Sequence, residues 1–116
     1  MTDIPTVATN HWGRCLVASF TGVMDRTTAP MFRTEFLNLL DSGERLVVLD
    51  LSGVHFCDAD GVNALVAAHR HAAETGATLV LACLREQPRH YLEFTCADQV
   101  FRVYETVVGA KTAIAC

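Results

Sequence analysis

Two short runs, LVVLDL (residues 46–51) and TLVLAC (residues 78–83), are almost wholly apolar and rich in branched side chains, with no polar alternation before Asp50. Strands of this pattern are covered on both faces, as in a parallel sheet. Between them, residues 61–75 set Val62, Leu65, Val66, His69 and Ala73 on one helical face, and Gly76 follows as a stop. Strand, helix and second buried strand make a crossover unit, which commits the chain to an α/β fold with a mostly parallel sheet.

The flanking segments extend the alternation. Residues 4–9 and 15–20 read as two extended stretches joined by a turn near NHWG, a β-hairpin. After TGVMD comes a helix that Thr27 or Thr28 can cap, with Pro30 in its first turn. Its apolar stripe is Phe32, Phe36, Leu39 and Leu40, and Gly43 ends it. A third helix is expected from about Pro88 to Thr95, then a short strand in QVFRVYE and a last helix in TVVGAKTAIA. The expected fold is a single α/β domain over residues 1–116. An N-terminal hairpin leads into a mixed, mostly parallel sheet packed with about four helices.

Composition narrows what such a domain does. A chain of 116 residues fits one core. The net charge is -4 and the basic residues are scattered singly. No basic patch suited to phosphate backbones or anionic lipids is visible, so neither nucleic-acid nor membrane binding is expected. No run approaches the roughly 20 apolar residues that span a bilayer, and no export signal is evident, so a cytoplasmic location is expected. The five cysteines (Cys15, Cys57, Cys83, Cys96 and Cys116) form no C-x-x-C pair and read first as small buried hydrophobes, with Cys116 exposed at the terminus.

In open α/β sheets ligands sit beyond the carboxyl ends of the strands, which draws attention to Asp50 and the expected loop at residues 52–60. HFCDADGVNAL (residues 55–65) carries two carboxylates one residue apart. As structure, Asp58 or Asp60 caps the helix that begins near Gly61, contributing about 1 kcal/mol. As chemistry, DADGV is similar to the D-x-D-G-[TV] signature of haloacid-dehalogenase-type phosphatases, in which an aspartate attacks phosphate beside Mg²⁺. The context does not fit. The strand is expected to end at Asp50, no adjacent acidic pair follows, and the only lysine is Lys111 in the tail. His55, Cys57, His69 and His71 are too few on any one face for a closed metal site. No metal and no cofactor is expected.

A wider stretch, VVLDLSGVHFCDADGVNALVAAHRHAAETGATLVLACL, resembles the core of STAS domains of the anti-sigma factor antagonist type. That family's pattern is an apolar strand, D-L-S/T-G-V, a short apolar stretch, D-S-S/T-G and a helix, then a Gly turn into another strand. FTGVMDRTTAPMFR is similar to its G-x-L-D-x-x-T-A segment, and FTCADQVFRVYET to its ending. The resemblance implies a binding protein rather than an enzyme. Its partner would be an anti-sigma factor that is also a GHKL-type serine kinase, and a PP2C-type phosphatase would reverse the phosphorylation that breaks the complex. The residue modified in the family precedes the glycine of D-S-S/T-G. Here that residue is Asp60, preceded by Ala59, so the phospho-acceptor is absent. Asp60 either imitates the modified state or simply removes the switch. The resemblance places the partner-binding surface at Asp25, Thr28, Asp58, Asp60, Gly61, Val62 and Asn63. The same residue types suit turn, capping and core roles. A homodimer and a redox-gated interaction or scaffold role through the cysteines remain compatible with the sequence.

Overall fold

The computed structural model describes residues 5–114. The elements are β1 (Thr6–Trp12), β2 (Cys15–Met24), α1 (Ala29–Asp41), β3 (Leu46–Cys57), α2 (Ala59–Thr75), β4 (Thr78–Ala82), α3 (Glu86–Phe94), β5 (Val103–Tyr104) and α4 (Val107–Ala113), with one 3-10 turn at Ala97–Gln99. The sheet runs β1-β2-β3-β4-β5. Its first pair is antiparallel and the others are parallel, as a hairpin followed by crossovers requires.

The apolar run of β3 is divided between the two faces by the strand's period of two. Val47, Leu49 and Leu51 join the core under α1 and α2, while Val48 faces α4 together with Cys15, Val17, Val80 and Ala110. On the first face Phe20, Phe32 and Phe36 pack with ring centroids 4.9 to 6.1 Å apart, locking α1 to β2. α2 buries Val62, Leu65, Ala68 and Ala72; Ala73, expected on that stripe, is exposed. His69 meets the edge of Phe101 at 5.5 Å. His71 turns away to Asp41, 2.5 Å distant.

Several boundaries depart from the sequence expectation. β3 does not stop near Asp50 but continues through Ser52–Gly53 to Cys57, paired with the second half of β2. The polar and small residues of this extension occupy its open face, while Val54 and Cys57 stay buried. β4 ends level with Asp50, so beyond it the extension pairs as a strand with β2 alone, while the Arg85 and Gln87 side chains bond its other edge at Ser52 and Cys57. A Cβ on Gly53 would fall 2.5 Å from Thr21 Cγ2, which shows how tightly β2 and β3 approach there. The pairing with β2 shifts register between Ser19 and Thr21 and again between Gly22 and Val23, with the extra residue on β3 each time. β1 is likewise displaced to Thr6–Trp12, with the turn at Gly13 and Arg14; Ile4 lies outside the described residues. α3 starts at Glu86, ahead of the expected Pro88, and β5 is only two residues long. Cys83 falls just beyond β4, in the left-handed region at φ 62. Gly43 and Gly76 have positive φ at the ends of α1 and α2, as their positions in the sequence imply.

Truncating Phe36, which is 1% exposed and touches both other rings, is expected to cost about 3–5 kcal/mol. Urea unfolding of Phe36→Ala measures it, and a loss below 1 kcal/mol would show that the ring cluster does not hold α1 to the sheet.

Candidate functional site

The edge at the carboxyl ends of β2 and β3 is built around the Asp58 carboxylate. Its Oδ1 accepts from the Asp60 N–H at 2.9 Å and the Gly61 N–H at 3.2 Å, the N-cap geometry of α2. Its Oδ2 accepts from the Arg26 N–H at 3.3 Å, and the Asp58 N–H donates to the Met24 carbonyl at 3.1 Å. One residue thus joins the end of β3, the start of α2 and the β2–α1 loop. α2 starts at Ala59, earlier than expected, because the cap is Asp58 and Asp60 already stands in the first turn. There its charge adds a favourable interaction with the helix dipole.

The β2–α1 loop is closed in a similar way. Asp25 Oδ1 accepts from the N–H groups of Thr27 and Thr28 at 2.9 and 3.1 Å. The Thr28 hydroxyl accepts from the Asp25 N–H at 3.0 Å and donates to the Val23 carbonyl. Thr28 occupies the N-cap position of α1 but makes no side-chain cap, because its hydroxyl is turned back into the loop. Gly61 is where α2 crosses the end of β2. A Cβ there would lie 2.6 Å from the Met24 carbonyl oxygen and 2.8 Å from Cys57 Sγ.

The seven sequence-selected residues therefore separate. Asp60 and Asn63 are exposed, Asp25, Thr28 and Asp58 are half-buried in the turns just described, and Gly61 and Val62 are buried. Asp50 stands apart, in mid-strand on β3. It accepts from Ser19 Oγ and the Ser52 N–H, each at 3.0 Å, and seven residues of strand, roughly 20 Å, separate it from the loop. Two arginines that the motif did not single out complete the edge. Arg26, Pro30 and Arg33 line a shallow groove of about 300 Å³ between α1 and α2, facing Asp60, Asn63 and Ala64. Among the described residues the Asp60 carboxylate has no ion pair within 4 Å and accepts no hydrogen bond. The signal for Arg33 was its place one turn after Pro30 on the exposed side of the Phe32–Phe36 stripe.

The phosphatase reading can now be judged on geometry. One argument against it falls away, since a long strand does lead directly into Asp58. Both oxygens of Asp58 are nevertheless engaged by backbone N–H groups, so the carboxylate serves as the α2 cap and the tie to the β2–α1 loop. Among the described residues no group of three His, Cys, Asp or Glu side chains is placed to hold a metal ion.

The thiols are not alike. Cys15 is fully buried, in the place of a small hydrophobe. Cys57, Cys83 and Cys96 are free, and only Cys96 is exposed; Cys116 lies outside the described residues. Burial, and secondarily the charge of Asp58, pushes the Cys57 thiol up from 9.0 to about 12. Cys83 is raised in the same direction by burial and then by Asp50.

Two outcomes are expected from this geometry. Gly61→Ala should destabilise the fold by about 1–3 kcal/mol through overpacking against backbone, and Asp58→Ala by about 1 kcal/mol or more through loss of the cap; a neutral Gly61→Ala would contradict the crossing described. For Cys57 the unfolded thiol ionises near 9 while the folded one holds its proton to about 12. Its contribution is complete below pH 9 and is lost as pH rises through that window, because the unfolded state binds fewer protons there. Stability of the wild type should fall more steeply between pH 9 and 11 than that of Cys57→Ala. Parallel slopes in urea midpoints would refute it.

Comparison with known proteins agrees with this geometry. The family model described as STAS domain matches residues 6–110. BtrV of Bordetella bronchiseptica, whose name assigns it to the anti-sigma factor antagonists, is 26% identical over 98 residues, 84% of each chain. A crystal structure of an anti-sigma factor antagonist from Mycobacterium paratuberculosis superposes with a TM-score of 0.83 at 27% identity, covering 98% of this chain and 97% of that one. A STAS domain protein from Planctomyces limnophilus superposes at 0.81 with 22% identity over 95% of this chain and 98% of its own. No helix among the described residues is long and apolar enough to cross a membrane. On the match along nearly its whole length, the chain belongs to the STAS domain family.

Proposed function

We propose that this protein is an anti-sigma factor antagonist. It acts in the cytoplasm by binding an anti-sigma factor of the serine-kinase type, and it does so without phosphorylation control. The observation that carries the reading is the position of Asp60: exposed, in the first turn of α2, at the position the family uses for a phosphorylatable hydroxyl. The names of the relatives support antagonism in general terms. The local charges support the second half of the proposal. A phosphoserine would bring about -1.5 to -2 charges and three acceptor oxygens, whereas aspartate brings one charge on a short stem. Arg26 and Arg33 line the same groove and offset that charge. A partner approaching this edge meets a mixed-charge surface rather than the concentrated anion of a phosphorylated antagonist. Asp60, Asn63, Arg26 and Arg33 supply the contact, and Asp25, Thr28, Asp58, Gly61 and Val62 hold the two loops and the helix start in place beneath it.

The test uses wild type and Asp60→Ser as paired baits in lysate of the source cell, with captured proteins identified by mass spectrometry and ATP added to the isolated complexes. Both baits are expected to hold the same anti-sigma kinase, and ATP should release only Asp60→Ser, with phosphate on the new serine. Capture by Asp60→Ser alone would mean that Asp60 imitates the released state. Capture of an anti-sigma factor by neither would overturn the antagonist reading.

A further inference from the structure

The two edges of the sheet are treated very differently. β5 is a two-residue strand, too short to template another chain, and α4 follows it directly. β1 is a seven-residue strand, TVATNHW, paired to β2 in a regular ladder with no bulge, and every one of its residues is exposed. It contains no Pro, Lys, Arg, Asp or Glu, the residues by which proteins usually blunt such an edge. Its one titratable side chain, His11, is engaged with Glu44 at 2.7 Å.

The direction of the free backbone groups follows from the hairpin. Gly13, at φ 60, and Arg14 form a two-residue turn, so the closing pair Trp12–Cys15 is a hydrogen-bonded pair. Alternation along the ladder makes Asn10–Val17, Ala8–Ser19 and Thr6–Thr21 hydrogen-bonded pairs as well. The N–H and C=O groups of Val7, Thr9 and His11 therefore point away from β2, and they are disposed symmetrically about Thr9.

We propose that β1 pairs antiparallel with β1 of a second copy of this chain, around a two-fold axis through Thr9, so that the sheet continues across the dimer. Thr9 then faces Thr9 of the partner and Val7 faces His11 in both directions, giving three hydrogen-bonded pairs with two bonds in each. The strand's neutrality selects this occupant. Across a two-fold axis the strand meets itself in reverse order, so a strand carrying net charge would repel its own copy, whereas a neutral one does not. Threonine opposite threonine is a favourable cross-strand pair. Contact through one seven-residue strand buries less than the roughly 1,200 Å² of a standard interface, so the dimer is weak.

Sedimentation equilibrium of the full chain from about 10 µM to 1 mM tests it, with a dissociation constant on the order of 100 µM expected. Thr9→Pro removes one outward N–H and leaves the β1–β2 bonds intact. Thr9→Lys keeps that N–H but sets two ammonium groups face to face across the axis. Each variant should raise the dissociation constant at least tenfold with the melting temperature held within a few degrees. Should Thr9→Pro melt earlier, Thr9→Lys decides alone. A wild type monomeric throughout the range, or a dimer equally tight in Thr9→Lys, overturns the proposal.

Discussion

The rest of the edge depends on the Asp58 carboxylate. It leaves neither oxygen idle: one closes the first turn of α2 and the other holds the Arg26 N–H of the preceding loop. Because its own N–H is tied to Met24, the cap is anchored to β2 and not only to the helix it serves. The α1–α2 pair inherits its spacing from this arrangement, and with it the groove in which Asp60 faces Arg26 and Arg33. Gly61 enforces the same geometry from the other side, since a single methyl group there would collide with backbone. Charge-assisted capping and close packing thus meet at Gly61, whose N–H the cap holds and whose Cα abuts Met24. That explains why a segment so rich in acids can be structurally rigid while keeping one carboxylate free.

The strong periodicities in the sequence were legible and the transitions between them were not. LVVLDL and TLVLAC announce a parallel sheet because they must be apolar on both faces, and the alternation of Val47, Leu49 and Leu51 against Val48 bears this out. The Phe32–Phe36–Leu40 stripe and the glycine stops at residues 43 and 76 were equally plain. What misled was Ser52–Gly53, read as a loop because small polar residues usually make one. Here the strand outlasts β4 and needs to be apolar on only one face, so its other side carries Ser52, His55 and Phe56 at the surface. A half-covered extension of a fully covered strand has no signature of its own. Its length decides where the site lies, for it moves the functional edge roughly 20 Å beyond Asp50.

Within the candidate segment, the sequence pattern could not tell structural residues from free ones. Asp25, Thr28, Asp58 and Asp60 are all short polar side chains near helix starts, and any of them is able to cap. Only the hydrogen bonds separate them, and they leave Asp60 unused. Arg26 and Arg33 escaped notice because a solitary exposed arginine has no motif; their meaning comes from the opposing helix. The cysteines follow the same rule. Cys57 sits two residues from His55 in a pattern that invites a ligand reading, yet burial beside Asp58 keeps its thiol protonated far above neutral pH.

The groups left exposed at this edge suit the recognition role proposed for it. The half-buried acids are engaged in holding backbone and strand together: Asp58 and Asp25 accept from N–H groups of the two helix starts, and Asp50 from the Ser19 hydroxyl and the Ser52 N–H. The groups that remain accessible are a carboxylate and an amide on α2, one guanidinium on α1 and one on the β2–α1 loop, around an open groove. Such a set fixes orientation and partner choice through complementary charge, and it discriminates against wrong partners by leaving their charges unmatched. Residue 60 shares its groove with Arg26 of the β2–α1 loop and Arg33 of α1, so a change of charge there alters the balance of the edge. In the proposed function a hydroxyl at that position would make the edge switchable by phosphate, and a carboxylate would make it constant. The scaffold beneath is indifferent to the exchange: the α2 cap is Asp58, and residue 60 contributes only its backbone N–H to it.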